Sequence, residues 1–297
     1  MKKYKRIIKH DSIVFFFCIF LILAACSPSV IVINGETYST KLTSLHIFGD
    51  INDSDIKQLK HMTNLSSLSI ISESGQVSNI DVLARLTKLE NFRLTNSQIS
   101  NINELSSLTN LTSLSISYSK VKNINILSSF YNLTSLSLSS SLVDDISAIR
   151  DLIKLVELHL SYTQVRDISA IRGLINLNSL SLNYTQISDF SALSGLTNLT
   201  ILNLSGTQID DLSVINDLTK LTWLGLGETQ VNDISMLGHL INLQYLFLDF
   251  TQIDDLSVLK ELTNLRQITL SKAQIDKTQL EELRAALPDC VIIYTPA

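Results

Sequence analysis

The stretch LVELHLSYTQVRDISAIRGLIN, from Leu155 to Asn176, holds the pattern that fills most of this 297-residue chain. Within it, apolar residues occupy the first, fourth, sixth, eleventh, fourteenth, seventeenth and twentieth positions. The following 22 residues, Leu177 to Asn198, place apolar residues at the same seven positions. Self-similarity at a short fixed period predicts that each copy is one structural unit and that successive units stack into a solenoid.

Copies of the same length continue in both directions. Their first leucines are spaced 22 residues apart and are Leu89, Leu111, Leu133, Leu155, Leu177, Leu199, Leu221, Leu243 and Leu265. Leu65 begins an earlier copy with two extra residues around Ser74 and Gly75, and Leu42 begins a degenerate first copy with one extra residue. We therefore expect about eleven repeats over residues 42–275.

Each copy changes its hydrophobic period half-way along. The first half alternates apolar and polar residues, as in Leu158-His159-Leu160, which indicates a β-strand. Stacked copies place these strands side by side in a parallel sheet about 4.8 Å apart. In the second half the apolar residues recur every three or four positions, which favours a short 3-10 or helical turn behind the sheet. One copy cannot offset the entropy of ordering its chain, but a stack with one continuous core can.

The consensus of the copies, LxxLxLxxTxIxDIxxLxxLxx, resembles the 22-residue class of leucine-rich repeats found in bacterial internalin-like proteins. This resemblance implies an α/β leucine-rich-repeat solenoid with a curved parallel sheet on its concave face and short 3-10 or helical turns on its convex face. It also implies that the polar residues flanking the strand leucines line a concave binding surface. We take these to be the third, fifth, seventh and eighth residues of each copy.

One polar column recurs at the ninth position of the repeat, where the family more often has Asn. Its members carry hydroxyl groups and are Ser97, Ser119, Ser141, Thr163, Thr185, Thr207, Thr229 and Thr251. Each hydroxyl can donate and accept a hydrogen bond. Because no His or Lys base accompanies them, we predict a structural role and reject both ice binding and nucleophilic catalysis.

A second polar column occupies the thirteenth position, just before the predicted turn. Its members are Asn101, Asn123, Asp145, Asp167, Asp189, Asp211, Asp233 and Asp255. Asp or Asn in this place is typical of an N-cap, whose side chain accepts backbone N–H groups. Stacked carboxylates that hold Ca²⁺ are the alternative, but repeating calcium loops usually contain glycines that these copies lack. We therefore favour caps.

The first 25 residues form a basic head, MKKYKRIIKHDS, followed by an apolar run from Ile13 to Ala25. As a helix this run spans about 20 Å, too short for a bilayer core of roughly 30 Å, so we predict a secretory signal peptide over residues 1–25. The sequence Leu23-Ala24-Ala25-Cys26 resembles the bacterial lipobox. It implies cleavage before Cys26 and acylation of that residue, with palmitate as an expected acyl group. An ordinary cleaved signal with a chance Cys and an uncleaved anchor are the alternatives.

Short segments at both ends are predicted to cap the solenoid. Residues 26–41 hold the lipidated Cys, a tether and an N-terminal cap in which Ile31 to Tyr38 resembles a strand and turn. Residues 276–297 are expected to form the C-terminal cap. There, Lys277 to Leu287 is predicted to be an amphipathic helix that ends at Pro288, followed by a strand in which Cys290 is a small hydrophobic residue.

The predicted concave face changes character along the chain. N-terminal copies carry small hydroxyls there, at Ser113, Ser115, Ser117, Ser135, Ser137, Ser139 and Ser140. C-terminal copies carry aromatic and acidic residues, among them the only Trp of the chain, and Gly225 and Gly227 should leave a dent beside them. The candidate ligand-binding residues are Trp223, Tyr245, Phe247, Asp249, Phe250 and Glu228, joined by a looser stripe of Tyr184, Tyr162, Tyr118 and His159. The alternative is that these aromatic residues only pack on one another.

Several function classes are not expected. The net charge is −5 without a cluster of Lys and Arg in the repeats, which argues against nucleic acid as a partner. The histidines do not recur at equivalent positions of neighbouring copies, which argues against a metal site. The sequence contains no glycine-rich phosphate loop, nucleophile elbow or Ser–His–Asp grouping, so we expect neither an enzyme nor a cofactor.

The sequence thus predicts an extracytoplasmic, monomeric binding protein held on the cell membrane by the N-terminal lipid. Its expected partner is a protein bound on the concave face. The alternative is a glycan- or cell-wall-binding adhesin that uses the same aromatic residues, because aromatic rings also stack on sugar rings.

Overall fold

The computed structural model describes residues 28–271 and 275–295. The predicted signal peptide and the predicted lipidated residue, Cys26, lie outside the described residues. The described chain is an α/β leucine-rich-repeat solenoid with a twelve-stranded parallel sheet and a row of short 3-10 turns. The predicted fold class is confirmed.

The strands of the sheet follow one another in chain order, so each repeat pairs with the repeats before and after it. They are β3 (Ser44–Gly49), β4 (Ser67–Ser72), β5 (Asn91–Thr95), β6 (Ser113–Ser117), β7 (Ser135–Ser137), β8 (Glu157–His159), β9 (Ser179–Ser181), β10 (Ile201–Asn203), β11 (Trp223–Gly225), β12 (Tyr245–Phe247), β13 (Gln267–Thr269) and β14 (Val291–Ile293). Equivalent repeat positions are in register, as where Leu158 pairs with Leu180. Residues at the same position of successive repeats therefore lie side by side across the sheet.

The core follows the alternation seen in the sequence. In the repeat that begins at Leu155, Leu158 and Leu160 are 0% exposed, whereas His159 between them is partly exposed. The fourth and sixth positions of each repeat thus enter the core, and the third, fifth and seventh face outward on the surface that we call the concave face.

The second half of each repeat forms a short turn. Residues Asp53–Gln58 form the short helix α1, and the 3-10 turns are Leu59–His61, Asp81–Arg85, Asn103–Ser107, Asn125–Ser129, Ser147–Ile149, Ser169–Ile171, Ser191–Leu193, Leu212–Ile215, Ser235–His239 and Ser257–Glu261. In the 22-residue repeats the thirteenth-position side chain accepts a backbone N–H group at the start of the turn. Asp167 Oδ1, for example, accepts the backbone N–H of Ser169 at 2.7 Å, and this hydrogen bond lowers the pKa of Asp167. Asp211 is the N-cap of its turn, as predicted for the column, whereas in the other 22-residue repeats the N-cap is the fourteenth residue and the thirteenth side chain makes its contact one residue earlier.

The ninth-position hydroxyls are buried and structural in most repeats. Thr229 Oγ1 donates to the carbonyl oxygen of Leu226 at 2.6 Å. The same contact is made by Ser141, Thr163, Thr185, Thr207 and Thr251. Ser97 differs, because its buried Oγ has no hydrogen-bond partner within the described residues. The hydroxyl thus satisfies a main-chain carbonyl where the strand has ended, since β7 to β12 stop one residue before that carbonyl.

Asparagines at the last position of the repeat form a ladder that the sequence reasoning missed. Asn176 Nδ2 donates to the carbonyl oxygen of Ile153 in the preceding repeat at 2.8 Å. Equivalent contacts are made by Asn110, Asn132, Asn198, Asn242 and Asn264. These contacts tie six repeats to the preceding repeat at the turn that leads into the strand, whereas Lys88, Lys154 and Lys220 occupy the position in three others.

Additional elements pack at both ends of the repeats. Strands β1 (Val30–Ile33) and β2 (Glu36–Ser39) form an antiparallel hairpin, and the backbone N–H of Asn34 in its turn donates to Asp55 Oδ1 in α1 at 3.0 Å. At the other end, helix α2 (Lys277–Ala286) begins at its N-cap Asp276 and buries two leucines, and β14 pairs with β13. Cys290 before β14 is partly buried, which raises the pKa of its thiol.

No helix in residues 28–271 and 275–295 combines the length and apolar character that crossing a membrane requires.

Candidate functional site

In the eight repeats that begin at Leu89 to Leu243, the eighth residue leaves the strand in the left-handed backbone region. Its φ is positive in Asn96, Tyr118, Ser140, Tyr162, Tyr184, Gly206, Glu228 and Phe250. A residue other than Gly pays about 1 kcal/mol or more for this conformation. Because the conformation recurs whatever the residue type, the geometry of the repeat imposes it. Several large side chains on this edge are exposed, including Tyr118 at 61%, Tyr162 at 56% and Phe250 at 57%.

Trp223 and Phe247 form an aromatic pair on the concave face. Their ring centroids lie 4.9 Å apart with an interplanar angle of 37°. Tyr245 is the register partner of Trp223, but Phe247 is the residue whose ring pairs with the indole. The Trp223 ring reaches over Gly225, where an added Cβ would lie 2.9 Å from Trp223 Cη2. The side chains of Asn203, Trp223 and Ser205 therefore fill the dent predicted at Gly225, and Gly227 is the glycine that lines the open space.

Tyr184 and Glu228 form a bridge across an intervening repeat. The Tyr184 hydroxyl donates to Glu228 Oε1 at 2.5 Å, although the two residues are 44 positions apart. The ring passes over Gly206, where an added Cβ would lie 2.5 Å from Tyr184 Cδ1. The hydrogen bond to the carboxylate raises the pKa of Tyr184 to about 12, so the phenol stays protonated at neutral pH. Gly206 thus provides the space in which Tyr184 can fix the Glu228 side chain.

One of the predicted stripe residues, Tyr162, lies next to this bridge, and His159 contacts a neighbouring strand. Tyr162 stacks on Tyr184, with ring centroids 4.6 Å apart and an interplanar angle of 15°. His159 lies on β8, and its Nδ1 is 3.1 Å from Ser181 Oγ. Burial lowers the pKa of His159, so its ring is neutral at pH 7. Tyr118 lies further along the same edge, separated from Tyr162 by the repeat that carries Ser140.

An open groove of about 610 Å³ lies between the aromatic pair and the bridge. It is lined by Tyr184, Ser205, Trp223, Gly227, Glu228, Phe247, Asp249, Phe250, Ser271 and Thr295. Hereafter we call this set of residues the aromatic groove. It includes six of the predicted ligand-binding residues, whereas Tyr245, Tyr162, Tyr118 and His159 lie outside its lining.

The sequence reasoning missed the small residues that shape the aromatic groove. Ser205 and Ser271 occupy the seventh position of their repeats, and Thr295 follows β14. Gly206 was missed as well, although alignment of the eighth-position column would have revealed it as the one Gly between a Tyr and a Glu.

Known proteins with leucine-rich repeats are similar to this chain in sequence and in structure. The family model for leucine-rich repeats in two copies matches residues 153–195 and 175–218. An internalin from Listeria monocytogenes is 27% identical, with a TM-score of 0.73 over 88% of this chain and 84% of that chain. Internalin C2 from Listeria monocytogenes is 33% identical, with a TM-score of 0.60 over 64% of this chain and 83% of that one. A leucine-rich-repeat protein from Leptospira interrogans is 26% identical, with a TM-score of 0.67 over 80% and 68% of the two chains.

This chain is an internalin-like leucine-rich-repeat protein. The search of curated proteins found no significant match. Leucine-rich-repeat proteins commonly mediate protein–protein binding, and the internalin-like fold is typically a binding scaffold without enzymatic activity. The concave face is the surface that such solenoids present to a partner.

The described part of this internalin-like protein contains no cluster of three or more His, Cys, Asp or Glu side chains arranged to hold a metal ion. In the thirteenth-position column, Asp145, Asp167, Asp189, Asp211, Asp233 and Asp255 each accept a backbone N–H two residues ahead. Their oxygens therefore serve the turns of the repeat.

Proposed function

We propose that this internalin-like protein is a lipid-anchored cell-surface binding protein that recognises a protein partner through the aromatic groove of its concave face. It acts by binding and has no catalytic role. The observation that carries the proposal is the position of Trp223 and Phe247, which form an outward-facing aromatic pair beside an open groove on a rigid sheet. Aromatic residues in such settings are the usual anchors of protein interfaces.

The rest of the concave face supports this location. Serines line the N-terminal repeats, where Ser117 Oγ and Ser137 Oγ lie 3.2 Å apart and share a hydrogen bond. Small hydroxyls offer little area to bury, whereas each aromatic side chain can bury about 150–250 Å². A partner therefore gains most by contacting the C-terminal repeats.

Comparative capture tests this function. The purified full chain, the double variant Trp223→Ala/Phe247→Ala and the control Tyr118→Ala/Tyr131→Ala are cross-linked to surface proteins, and the captured proteins are quantified by mass spectrometry. The control removes two aromatic residues that are 61% and 63% exposed and lie outside the groove. We expect a protein that the wild type and the control capture equally and the double variant loses. Equal capture by all three proteins contradicts the proposal.

The glycan-binding alternative makes a different prediction in the same experiment. In that case the double variant loses binding to isolated cell-wall polysaccharide, and no protein depends on the groove. This outcome replaces the protein partner by a glycan while the location of the site stands.

The lipid anchor is proposed from the leader and Cys26 alone. Two or three acyl chains each add about 0.8 kcal/mol per buried CH₂, which is enough for stable membrane attachment. Incorporation of labelled palmitate into the wild type and its loss in Cys26→Ser is the expected result. Recovery of a chain that still begins at Met1 and carries no acyl group contradicts the anchor but leaves the binding site untouched.

A further inference from the structure

The aromatic groove has an acidic lining. Glu228 and Asp249 are carboxylates, and no Lys, Arg or His lines the groove among the described residues. The wider surface has the same bias. Over the five repeats that begin at Leu155 to Leu243, the third, fifth, seventh and eighth positions carry one more acid, Glu157, and neither Lys nor Arg. The eighth position of the next repeat is Lys272, which lies outside the described residues. A low-dielectric groove lined by one sign of charge attracts a group of the opposite sign.

The two carboxylates of the groove are engaged to different degrees. Asp249 Oδ1 accepts the backbone N–H of Ser271 at 2.9 Å, and Asp249 Oδ2 accepts the hydroxyl of Thr269. Asp249 therefore holds the neighbouring repeat. Glu228 is exposed, and Tyr184 occupies its Oε1. Glu228 Oε2 has no hydrogen-bond partner within the described residues, so Glu228 is the carboxylate that the groove presents to a ligand.

Aromatic rings lie beside this carboxylate. Trp223 and Phe247 form one wall, and Phe250 lies one repeat beyond Glu228 on the same edge. A guanidinium group suits such a setting, because its flat face stacks on aromatic rings while its N–H groups point at a carboxylate. A neutral or anionic group makes poorer use of Glu228.

We propose that the aromatic groove binds an arginine side chain of the partner protein, with the guanidinium against the Trp223–Phe247 pair and hydrogen-bonded to Glu228 Oε2. The proposal rests on the proposed function and adds the chemistry of the ligand. Tyr184 is a positioning residue, because its hydroxyl orients Glu228 without reaching the guanidinium itself.

Trp223 provides the readout, because it is the only Trp of the chain and lies in the groove wall. Tryptophan fluorescence of the full chain is titrated with Nα-acetyl-arginine N-methylamide and with the matching citrulline compound, which has nearly the same shape but no charge. We expect a saturable response to the arginine compound and an affinity at least about tenfold lower for citrulline. The arginine affinity should also fall as salt is raised.

Matched charge variants locate the effect. Glu228→Gln should weaken the arginine compound about fivefold or more, whereas Glu157→Gln removes the same charge from β8 and should leave its affinity within about twofold. Tyr184→Phe keeps the ring but releases Glu228, and it should weaken the arginine compound less than Glu228→Gln does. Circular dichroism checks that each variant is folded.

The arginine proposal is overturned by equal affinity for arginine and citrulline, by an unchanged arginine affinity in Glu228→Gln, or by no saturable response to the arginine compound. These outcomes are distinct from failure of the proposed function. A captured protein that depends on Trp223 and Phe247 but is indifferent to Glu228→Gln keeps the binding function and removes the arginine.

Discussion

The serine-lined and aromatic-lined halves of the concave face share one repeat pattern and one continuous core, but they present different side chains, and the strands of the N-terminal repeats β3 to β6 are longer. Strand β6 offers Ser113, Ser115 and Ser117, whereas β11 offers Trp223 and Gly225 at the same positions. Beneath both, the fourth-position leucines Leu114 and Leu224 are 0% exposed. Stacking fixes the residue type at the inward positions, whereas the residue type varies at the outward ones. We propose that the binding site lies where the outward residues depart from the common pattern.

The largest predicted effect tests whether the two halves truly share a core. Leu114→Ala and Leu224→Ala should each cost about 2–5 kcal/mol of unfolding free energy, because each leaves a cavity in a packed stack. Urea denaturation followed by circular dichroism measures both. A loss of unfolding free energy in Leu114→Ala far below that in Leu224→Ala would show that the serine-lined half is loosely packed. The two halves would then differ in their cores as well as in their surface side chains.

The ninth-position hydroxyls allow a comparison between repeats in which the hydroxyl is hydrogen-bonded and the repeat of Ser97, in which, within the described part of the chain, it is not. Thr229→Val leaves the Leu226 carbonyl oxygen without its hydrogen bond and should cost about 1–3 kcal/mol. Thr229→Ser keeps the hydroxyl, as Ser141 does in its own repeat, and should cost less. Ser97→Ala removes a buried hydroxyl without a partner in the described residues and should be nearly neutral or stabilising. Equal costs for Thr229→Val and Ser97→Ala in thermal unfolding would contradict the structural role assigned to this column.

The eighth position offers a matched pair of substitutions. Gly206→Ala introduces a Cβ at φ +68 and 2.5 Å from Tyr184 Cδ1, so it should cost about 1 kcal/mol and displace the tyrosine from Glu228. Ser140→Ala at the same position of another repeat adds no new strain, because Ser140 already has a Cβ at φ 56. Loss of the hydrogen bond to Glu228 should lower the pKa of Tyr184, which a titration of its phenol measures. A Tyr184 pKa that stays near 12 in Gly206→Ala would mean that the glycine is not required for it.

The smallest predicted effect is a pH dependence of the unfolding free energy that arises from His159, at the boundary between the halves. Burial lowers the pKa of His159 in the folded chain below its ordinary value of 6.5. The unfolded chain therefore binds the proton first, and the stability contributed by the neutral ring is present above pH 6.5 and is lost as the pH falls below it. Unfolding of His159→Gln at pH 7.5 and pH 5.5 should show a weaker loss on acidification than the wild type. Identical losses of stability in the two proteins would exclude His159 as a source of the pH dependence.

The core positions of this structure were predictable from the sequence, whereas the aromatic groove was predictable only in part. Leucine spacing predicts the strands and their register because burial is set by position in the repeat. The left-handed eighth position is not predictable from residue type, since neither Tyr162 nor Phe250 favours that conformation. Likewise, register places Trp223 beside Tyr245, but side-chain rotamers decide that its ring pairs with Phe247 and covers Gly225. The groove is shaped by such rotamers and by small residues that carry no hydrophobic signal.

Hydroxyl-radical footprinting of the complex with the captured partner tests the central claim most directly. Oxidation of Trp223, Phe247 and Phe250 is compared with that of Tyr118 and Tyr131, which are 61% and 63% exposed outside the groove and serve as internal controls. We predict that the partner protects the three groove residues and leaves the two tyrosines as reactive as in the free protein. Protection of Tyr118 or Tyr131, with the groove residues still reactive, would contradict the account.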